Sequence, residues 1–336
     1  MKKLLRLTIW LLIVCLALLG AGIGGAAWWG WKRPVPMQTP VVDYIIDMGS
    51  TPRQIAQAME AAGIQINPHA FVWLARLSGR DKLLKAGAYE ARAGDTPWML
   101  LERMANGDMT QARLTFPEGW TFAQMRAALD ADPQVRHDAL GLDDAAIARK
   151  LGLDDTSLEG LFYPDTYVFT PGSSDLDILR RAAQAGRQTL DRLWAERDRD
   201  LPLETPYQAL ILASIVEKET GHGGDRARIA GVFINRLRIG MPLQTDPSVI
   251  YGMGDRYQGR LRKKDLEQDT PWNTYTRAGL PPTPIANPGK AALMAATHPE
   301  RHDYLYFVSR GDGTSEFSKN LSSHNQAVGK YILKRN

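Results

Sequence analysis

Residues Ala209–Val216 read Ala-Leu-Ile-Leu-Ala-Ser-Ile-Val, and Glu217 follows this run directly. The run is almost wholly apolar, so a helix formed here must be buried on most of its circumference. A helix of that kind requires a sizeable core around it. The chain has 336 residues, of which 44% are hydrophobic, and this length is sufficient for two or three globular units.

Glu217 is the first charged residue after the apolar run, and on a helix it shares a face with Ala213 and Ser214, whose small side chains leave room beside the carboxyl. Loss of solvation at the rim of an apolar helix and the negative end of the helix dipole both raise the pKa of a carboxyl group. A proton donor to a glycosidic oxygen needs such a group. From periodicity alone, a surface carboxylate paired with Lys218 or a nearby arginine explains Glu217 equally well.

Composition excludes several classes of function. The formal net charge is +4, and no dense Lys/Arg run with interleaved aromatic residues is present, which argues against nucleic-acid binding. The single cysteine, Cys15, lies in the N-terminal apolar segment, so neither a disulfide framework nor a catalytic thiol is expected. Phosphate-binding loops and serine-nucleophile elbows are absent, and the sequence predicts no cofactor.

The N-terminal segment predicts a membrane anchor. Residues 7–31 carry no charged side chain, and at about 1.5 Å per residue such a helix crosses a hydrocarbon core of about 30 Å. Three basic residues within 1–6 predict a cytoplasmic tail, which places the rest of the chain on the outer, periplasmic side of the cytoplasmic membrane. The alternative is a signal peptide cleaved near Gly25–Ala27.

Residues 32–40 contain three prolines and predict an extended linker, and a small α+β module is expected over 41–110. Within it, Val42–Ile46 alternates like a strand, and Gly49–Pro52 supplies a turn, a helix cap and an N-terminal proline. The same signature returns at Gly94–Pro97, which suggests an internal duplication. This strand, turn and helix arrangement resembles a LysM-like module, which holds N-acetylated glycans. A spacer without a ligand is the alternative.

The remaining residues, 111–336, predict a larger mixed α+β domain, so the expected fold class is α+β. Pro117–Thr121 again reads as a turn before a helix around Met125–Leu129. The aromatic run Gly160–Phe169 predicts a strand that ends at Pro171. Its rings could line a sugar cleft, but a buried strand accounts for most of them.

Polar and aromatic residues after Glu217 have the composition of a sugar-binding cleft, in which amides and carboxylates bond hydroxyl groups and rings stack on pyranose faces. A helix-surface Asn-Arg pair, an Asx turn at Asp246-Pro247 and a rigid Pro-rich loop are alternative explanations. The candidate substrate-binding residues are Asn235, Gln244, Asp246, Tyr251, Asn273 and Tyr275.

Five segments in order resemble the endolytic murein transglycosylase family, also called YceG-like. They are 214–220, 232–237, 243–254, 273–282 and 320–325. An anchor followed by a LysM-like module is also the family's arrangement. The first Glu of the family's Ile-Val-Glu-Lys-Glu motif is its catalytic acid and base, and this residue maps onto Glu217.

The resemblance implies cleavage within peptidoglycan glycan strands, at the β-1,4 bond between N-acetylmuramic acid and N-acetylglucosamine, leaving a 1,6-anhydromuramoyl end. It also suggests that the cut ends a growing strand, in association with peptidoglycan synthases (penicillin-binding proteins). One carboxyl suffices for this chemistry, because the muramoyl C6 hydroxyl attacks intramolecularly and no water is activated.

Three alternatives stay open. A glycan hydrolase would use Glu217 with Asp246 as its second carboxyl, whereas a transglycosylase would use Asp246 for structure or orientation. A wall-binding scaffold would not cleave at all. His298, His302 and His324 raise the question of zinc, but no Cys or carboxylate completes a convincing ligand spacing, so no metal site is expected.

Overall fold

A computed structural model describes most of the chain from residue 28 onward. The described residues are 28–153 and 157–333, with Trp10, Ile13, Val14, Gly24 and Gly25 before them. The predicted cytoplasmic tail and most of the predicted transmembrane segment 7–31 therefore lie outside the described residues. Within the described part of the chain, no helix is long and apolar enough to span a bilayer.

The described residues form a mixed α+β fold, which confirms the predicted class. The strands are β1 (Val41–Ile46), β2 (Gly87–Arg92), β3 (Ala112–Thr115), β4 (Thr166–Phe169), β5 (Tyr306–Ser309) and β6 (Ser315–Ser318). The first helices are α1 (Pro52–Ala61), α2 (Pro68–Leu77), α3 (Pro97–Asn106), α4 (Phe122–Ala131), α5 (Asp144–Leu151) and α6 (Asp175–Ala195). The later helices are α7 (Pro206–Glu219), α8 (Arg226–Arg238), α9 (Asp246–Met253), α10 (Lys263–Glu267), α11 (Lys290–Thr297) and α12 (Leu321–Tyr331), with a 3-10 turn at Gly254–Arg256.

These elements belong to two compact units. The first contains the described residues up to Ala112 together with Val168–Ser173, and the second contains Arg113–Tyr167 and the described residues from Ser174 onward. The chain passes from the first unit to the second within β3, and β4 contributes to both.

The first unit is built on an antiparallel pair of strands joined by two helices, in the order β1, α1, α2, β2. Pairing runs from Val41 opposite Arg92 to Ile46 opposite Gly87. Burial alternates along β1, so one face of the pair lies on the helices and the other faces solvent. Tyr44 and Tyr89 are paired in this register, and their rings stack at 5.9 Å on the buried face.

The predicted helix starts are present in both units. Thr51, Thr96 and Thr121 each lie at an N-cap, and each side-chain oxygen accepts a hydrogen bond from a backbone N–H in the first turn. At α1 and α4 a glutamine three residues later completes a capping box. The repeated Gly-x-Thr-Pro signature is therefore a helix-starting device at both of its occurrences.

The second unit is organised around α7, as the apolar run predicts. Every residue from Ala209 to Val216 is buried. Helices α6, α8, α9 and α11 pack around it. Gly231 lets α8 pack closely against the segment that contains Glu300, because a Cβ atom at this position would lie 2.4 Å from the carbonyl oxygen of Glu300. The core that this packing creates holds the end of α7, including Glu217, in place.

The aromatic run is only partly a strand. The prediction of a strand over Gly160–Phe169 is wrong for its first half, because only Thr166–Phe169 pairs, with β3. Gly160 adopts φ +83, and Pro164 has no N–H to donate to a ladder. Phe162 is nevertheless fully buried and stacks on Phe122 at 4.9 Å.

Candidate active site

Glu217 lies in the last turn of α7, where the helix emerges from the core. Thr205 caps the start of α7, and Thr220 ends it in an extended conformation. Only 6% of the Glu217 side chain is exposed. The carboxyl therefore sits in a largely desolvated position at the edge of the second unit's core.

Two donors hold the Glu217 carboxyl. The backbone N–H of Gly289 donates to Oε2 at 3.0 Å, and Nη2 of Arg226 donates to Oε1 at 3.3 Å. The neighbouring Lys218 donates from Nζ to the carbonyl oxygen of Gly119 at 3.1 Å. The carboxyl thus has a fixed orientation, set by α7, the start of α8 and the residue before α11.

Burial raises the pKa of Glu217, while the Gly289 N–H and the charge of Arg226 lower it and the carboxylate of Glu118 raises it further. The net effect is a raised pKa of Glu217, as expected for a carboxyl at the end of an apolar helix. The ion pair that the sequence left as an alternative is also present, but it is formed with Arg226 in a largely buried position rather than at an exposed surface.

The segment 285–289 is fastened over α7 by buried polar groups. Ser214 Oγ accepts a hydrogen bond from the Ile285 N–H at 3.0 Å. Asn287 is fully buried, and its backbone N–H and side-chain Nδ2 both donate to the carbonyl oxygen of Trp120, at 2.8 and 2.9 Å. Its backbone carbonyl accepts from the Gly119 N–H at 2.9 Å. These bonds place Gly289 beside Glu217.

A second buried carboxyl group, that of Glu159, bonds to Asn287 and to the start of α4. One oxygen of Glu159 accepts hydrogen bonds from the Phe122 N–H at 3.0 Å and from Asn287 Nδ2 at 3.4 Å. Burial raises the pKa of Glu159 to about 7. Sequence reasoning missed Glu159, and also Glu118, Arg226 and Gly289. The only available signals were the turn sequences around Glu118 and Gly289.

Glu219 forms a separate acidic group with Asp246. The Thr245 hydroxyl donates to the Glu219 carboxylate, and burial together with the charge of Asp246 raises the pKa of Glu219 to about 7. Asp246 is exposed in the first turn of α9 and accepts a 2.6 Å hydrogen bond from the Tyr275 hydroxyl. Burial is the main cause that raises the pKa of Tyr275. The structure thus brings Asp246 and Tyr275 together.

Gln244 and Tyr251 remain partly accessible. Gln244 is exposed and has φ +49, a strained value for a residue with a side chain, and its N–H donates to the carbonyl oxygen of Thr274. Tyr251 is half-buried, with its ring edge-on to Trp272 at 5.6 Å.

The two predicted asparagines bond to the protein itself. Asn273 is fully buried, donates to the carbonyl oxygens of Leu266 and Gln268, and accepts from the Tyr275 N–H. Asn235 Nδ2 donates to the carbonyl oxygens of His302 and Tyr304, at 2.7 and 3.1 Å. Both amides therefore fix loops.

The three histidines considered as metal ligands lie in different settings. His298 Nε2 contacts the carbonyl oxygen of Glu196, His302 Nε2 contacts that of Arg228, and His324 stacks on Tyr306. A different group, Asp130, His137 and Asp175, brings its ligand atoms within 4.8 Å of one another. In that group, both oxygens of Asp175 already accept from the Ala139 N–H.

The comparisons with known proteins agree over nearly the whole chain. An endolytic murein transglycosylase of Bacillus subtilis is 32% identical over 335 aligned residues, covering 94% of this chain and 92% of the relative. An endolytic murein transglycosylase of Streptococcus pneumoniae is 27% identical across 95% of this chain, which spans 64% of that longer protein. The crystal structure of a YceG-like protein from Listeria monocytogenes has a TM-score of 0.53 and 30% identity, covering 85% of this chain and 98% of that one. The model of the YceG-like family matches residues 44–330, and the chain belongs to this family.

Proposed function

We propose that this chain is an endolytic murein transglycosylase that cuts peptidoglycan glycan strands with Glu217 as its acid and base. The observation that carries the proposal is the Glu217 carboxyl, which is almost fully buried, raised in pKa and oriented by the Gly289 N–H. The names of the Bacillus and Streptococcus relatives support the same activity. A carboxyl with a raised pKa is suited to protonating a glycosidic oxygen.

In the first step, Glu217 transfers its proton to the bridging oxygen as the bond from this oxygen to C1 of N-acetylmuramic acid breaks, and N-acetylglucosamine leaves with a new hydroxyl group. In the second step, the muramoyl C6 oxygen bonds to C1 and its proton passes to the Glu217 carboxylate. The acid is restored, no water is consumed, and the product carries a 1,6-anhydro ring.

The surroundings of the second candidate carboxyl support transglycosylation over hydrolysis. Asp246 accepts from the Tyr275 hydroxyl and its charge raises the pKa of Glu219, whereas the neighbouring charges with the largest effects on Glu217 are those of Arg226, Glu118 and Lys218. A hydrolase would need Asp246 to activate water or attack the sugar opposite Glu217. We assign Asp246 a substrate-orienting or structural role.

Of the predicted substrate-binding residues, we propose direct sugar contact for those with exposed surface: Gln244, Asp246, Tyr251 and Tyr275. Asn235 and Asn273 would act indirectly, by holding the loops at His302 and Tyr275. No cofactor takes part in this mechanism.

We further propose that residues 7–31 anchor the chain in the cytoplasmic membrane, with 1–6 in the cytoplasm and the rest on the periplasmic side. The uncharged run and its basic flank support this orientation. Residues 32–40, predicted as an extended linker, pack on the first unit instead, because Val35 is buried in its core and donates from its N–H to the Asp95 carbonyl oxygen at 2.8 Å. Residues 41–110 would form a LysM-like module that holds glycan, and 111–336 the catalytic domain. Cuts made next to the membrane would end nascent strands made by neighbouring penicillin-binding proteins.

Digestion of purified glycan strands tests the activity. The full-length protein in detergent is incubated with strands in heavy-oxygen water, and the products are weighed by mass spectrometry. We expect new ends that are lighter than hydrolysis products by one water and carry no heavy oxygen. Glu217→Gln should abolish cleavage, while the control Glu204→Gln, an exposed position before α7, should cleave normally. Reducing ends that contain heavy oxygen would show that the enzyme is a hydrolase. Cleavage by Glu217→Gln would overturn the assignment of Glu217 as the acid and base.

Protease protection in cells tests the anchor. A tag placed after residue 333 should be digested by external protease only when the outer layers are permeabilised, and the protein should stay in the membrane fraction. Release of the tagged protein by osmotic shock alone would instead indicate a cleaved signal peptide.

A further inference from the structure

The second unit contains another carboxylate close to Glu217, that of Glu118, in the loop before α4. Glu118 is exposed, and its side chain lies directly over the backbone of Gly289. A Cβ atom on Gly289 would lie only 1.8 Å from Glu118 Oε1, so any other residue at this position would displace the Glu118 carboxylate. The N–H of the same Gly289 donates to Glu217 Oε2 at 3.0 Å.

Gly289 thus has one carboxylate over its Cα atom and another on its N–H. Covalent geometry across this single residue brings the two carboxylates within roughly 7 Å of each other. Gly119, next to Glu118, also packs against Glu217, since a Cβ atom there would meet Cγ of Glu217 at 3.5 Å. The positions of both side chains are therefore tied together by the bonds between Asn287, Gly119 and Trp120.

We propose that Glu118 is a positioning residue of the active site, whose negative charge beside Glu217 favours the protonated, proton-donating form of that carboxyl. This inference rests on the proposed function. After Glu217 has given up its proton, the same repulsion makes its carboxylate a stronger base toward the C6 hydroxyl. One neighbouring charge therefore assists both halves of a reaction that uses a single acid and base.

The remaining charges around Glu217 oppose this effect. Arg226 donates to the carboxyl from the start of α8, Lys218 follows it on α7, and the Gly289 N–H bonds it from the start of α11. All three favour the ionised form, and burial and the Glu118 charge favour the neutral form, with a net increase in the pKa of Glu217. Of these influences, the Glu118 charge can be removed at an exposed position without disturbing the core.

The test is the pH dependence of strand cleavage by the full-length protein and by Glu118→Gln. Removing a negative charge stabilises the ionised Glu217, so we expect the alkaline limb of the profile to move to lower pH by about half a unit or more. Below this limb, the rate should stay within about threefold of the wild-type rate. Glu118→Lys, which reverses the charge, should move the limb further in the same direction. Glu204→Gln is the matched control and should leave the profile in place.

An unchanged alkaline limb in both Glu118 variants would overturn the proposal, as would complete loss of cleavage by Glu118→Gln at every pH, which would make Glu118 a catalytic group itself. Thermal melting of each variant identifies any loss of folding. Failure of the proposed function would be recognised separately, because Glu217→Gln would then still cleave, whatever the Glu118 variants do.

Discussion

Replacing Ser214 by alanine should destabilise the second unit measurably. Ser214 is fully buried one turn before Glu217, and its Oγ accepts from the Ile285 N–H at 3.0 Å and donates to the Ile211 carbonyl at 2.7 Å. In Ser214→Ala, the Ile285 N–H has no acceptor, which costs about 1–3 kcal/mol. The better helix propensity of alanine offsets about 0.5 kcal/mol. We expect a net loss of about 0.5–2.5 kcal/mol in the free energy of unfolding.

For a unit of this size, the midpoint of that range corresponds to a decrease in Tm of about 4–5 °C and the whole range to about 1–10 °C, measured by calorimetry on the full-length protein in detergent. Hydrogen exchange at residues 285–289 should quicken, because the segment loses its attachment to α7. Ser322→Ala, at an exposed position on α12, is the control and should change stability by less than about 0.5 kcal/mol. Equal melting and exchange in the two variants would refute the reasoning.

Three further outcomes can be measured. Gly289→Ala places a Cβ atom against the Glu118 side chain, which must then move away, and should shift the alkaline limb of the cleavage profile to lower pH as Glu118→Gln does, whereas Gly329→Ala, with open space around it, should not; an unchanged limb would contradict the close approach. Tyr89→Phe removes a 2.9 Å bond to the Lys85 carbonyl and should cost about 1 kcal/mol in urea unfolding. Tyr44→Phe should cost nothing, because the Tyr44 hydroxyl is buried without a partner among the described residues; a matching loss in both variants would argue against this. The pKa of Glu159 is raised from 4.5 to about 7, so the stability contributed by its neutral form should be present below pH 4.5 and lost as pH rises to about 7. Glu159→Gln should remove the decrease in Tm between those two pH values. An unchanged dependence of Tm on pH would exclude Glu159 as its source.

Much of the architecture could be predicted from local sequence. The apolar run before Glu217 predicts a buried helix, because no solvent-exposed helix can place so many large apolar side chains on its surface. Thr51, Thr96 and Thr121 predict helix starts, because a threonine hydroxyl satisfies a backbone donor within its own turn. These signals succeed since the partners are separated by only a few residues. The aromatic run was the exception, because Gly160 and Pro164 interrupt a pattern that is otherwise typical of a strand.

The sequence predicts Glu217 as the acid and base through the family motif around it, whereas helix periodicity alone explained a surface ion pair equally well. The groups that surround the Glu217 carboxyl could not be predicted from the sequence. Gly289, Arg226 and Glu118 come from distant parts of the chain, and no periodicity relates them to α7. Their positions follow from packing, in which Ser214 and Asn287 hold the loops that carry them.

The partners of Asn235 and Asn273 could not be predicted for the same reason, since they lie in distant parts of the chain or in irregular loops. In sequence, Asn235 and Asn273 have the character of sugar-binding amides, but in the fold both bond to loop carbonyl groups. The sequence by itself determined the α+β class, the buried helix and the acid at its end. Only the tertiary structure decided which charges act on that acid, because the pKa of a carboxyl depends on burial and on neighbours brought close by folding.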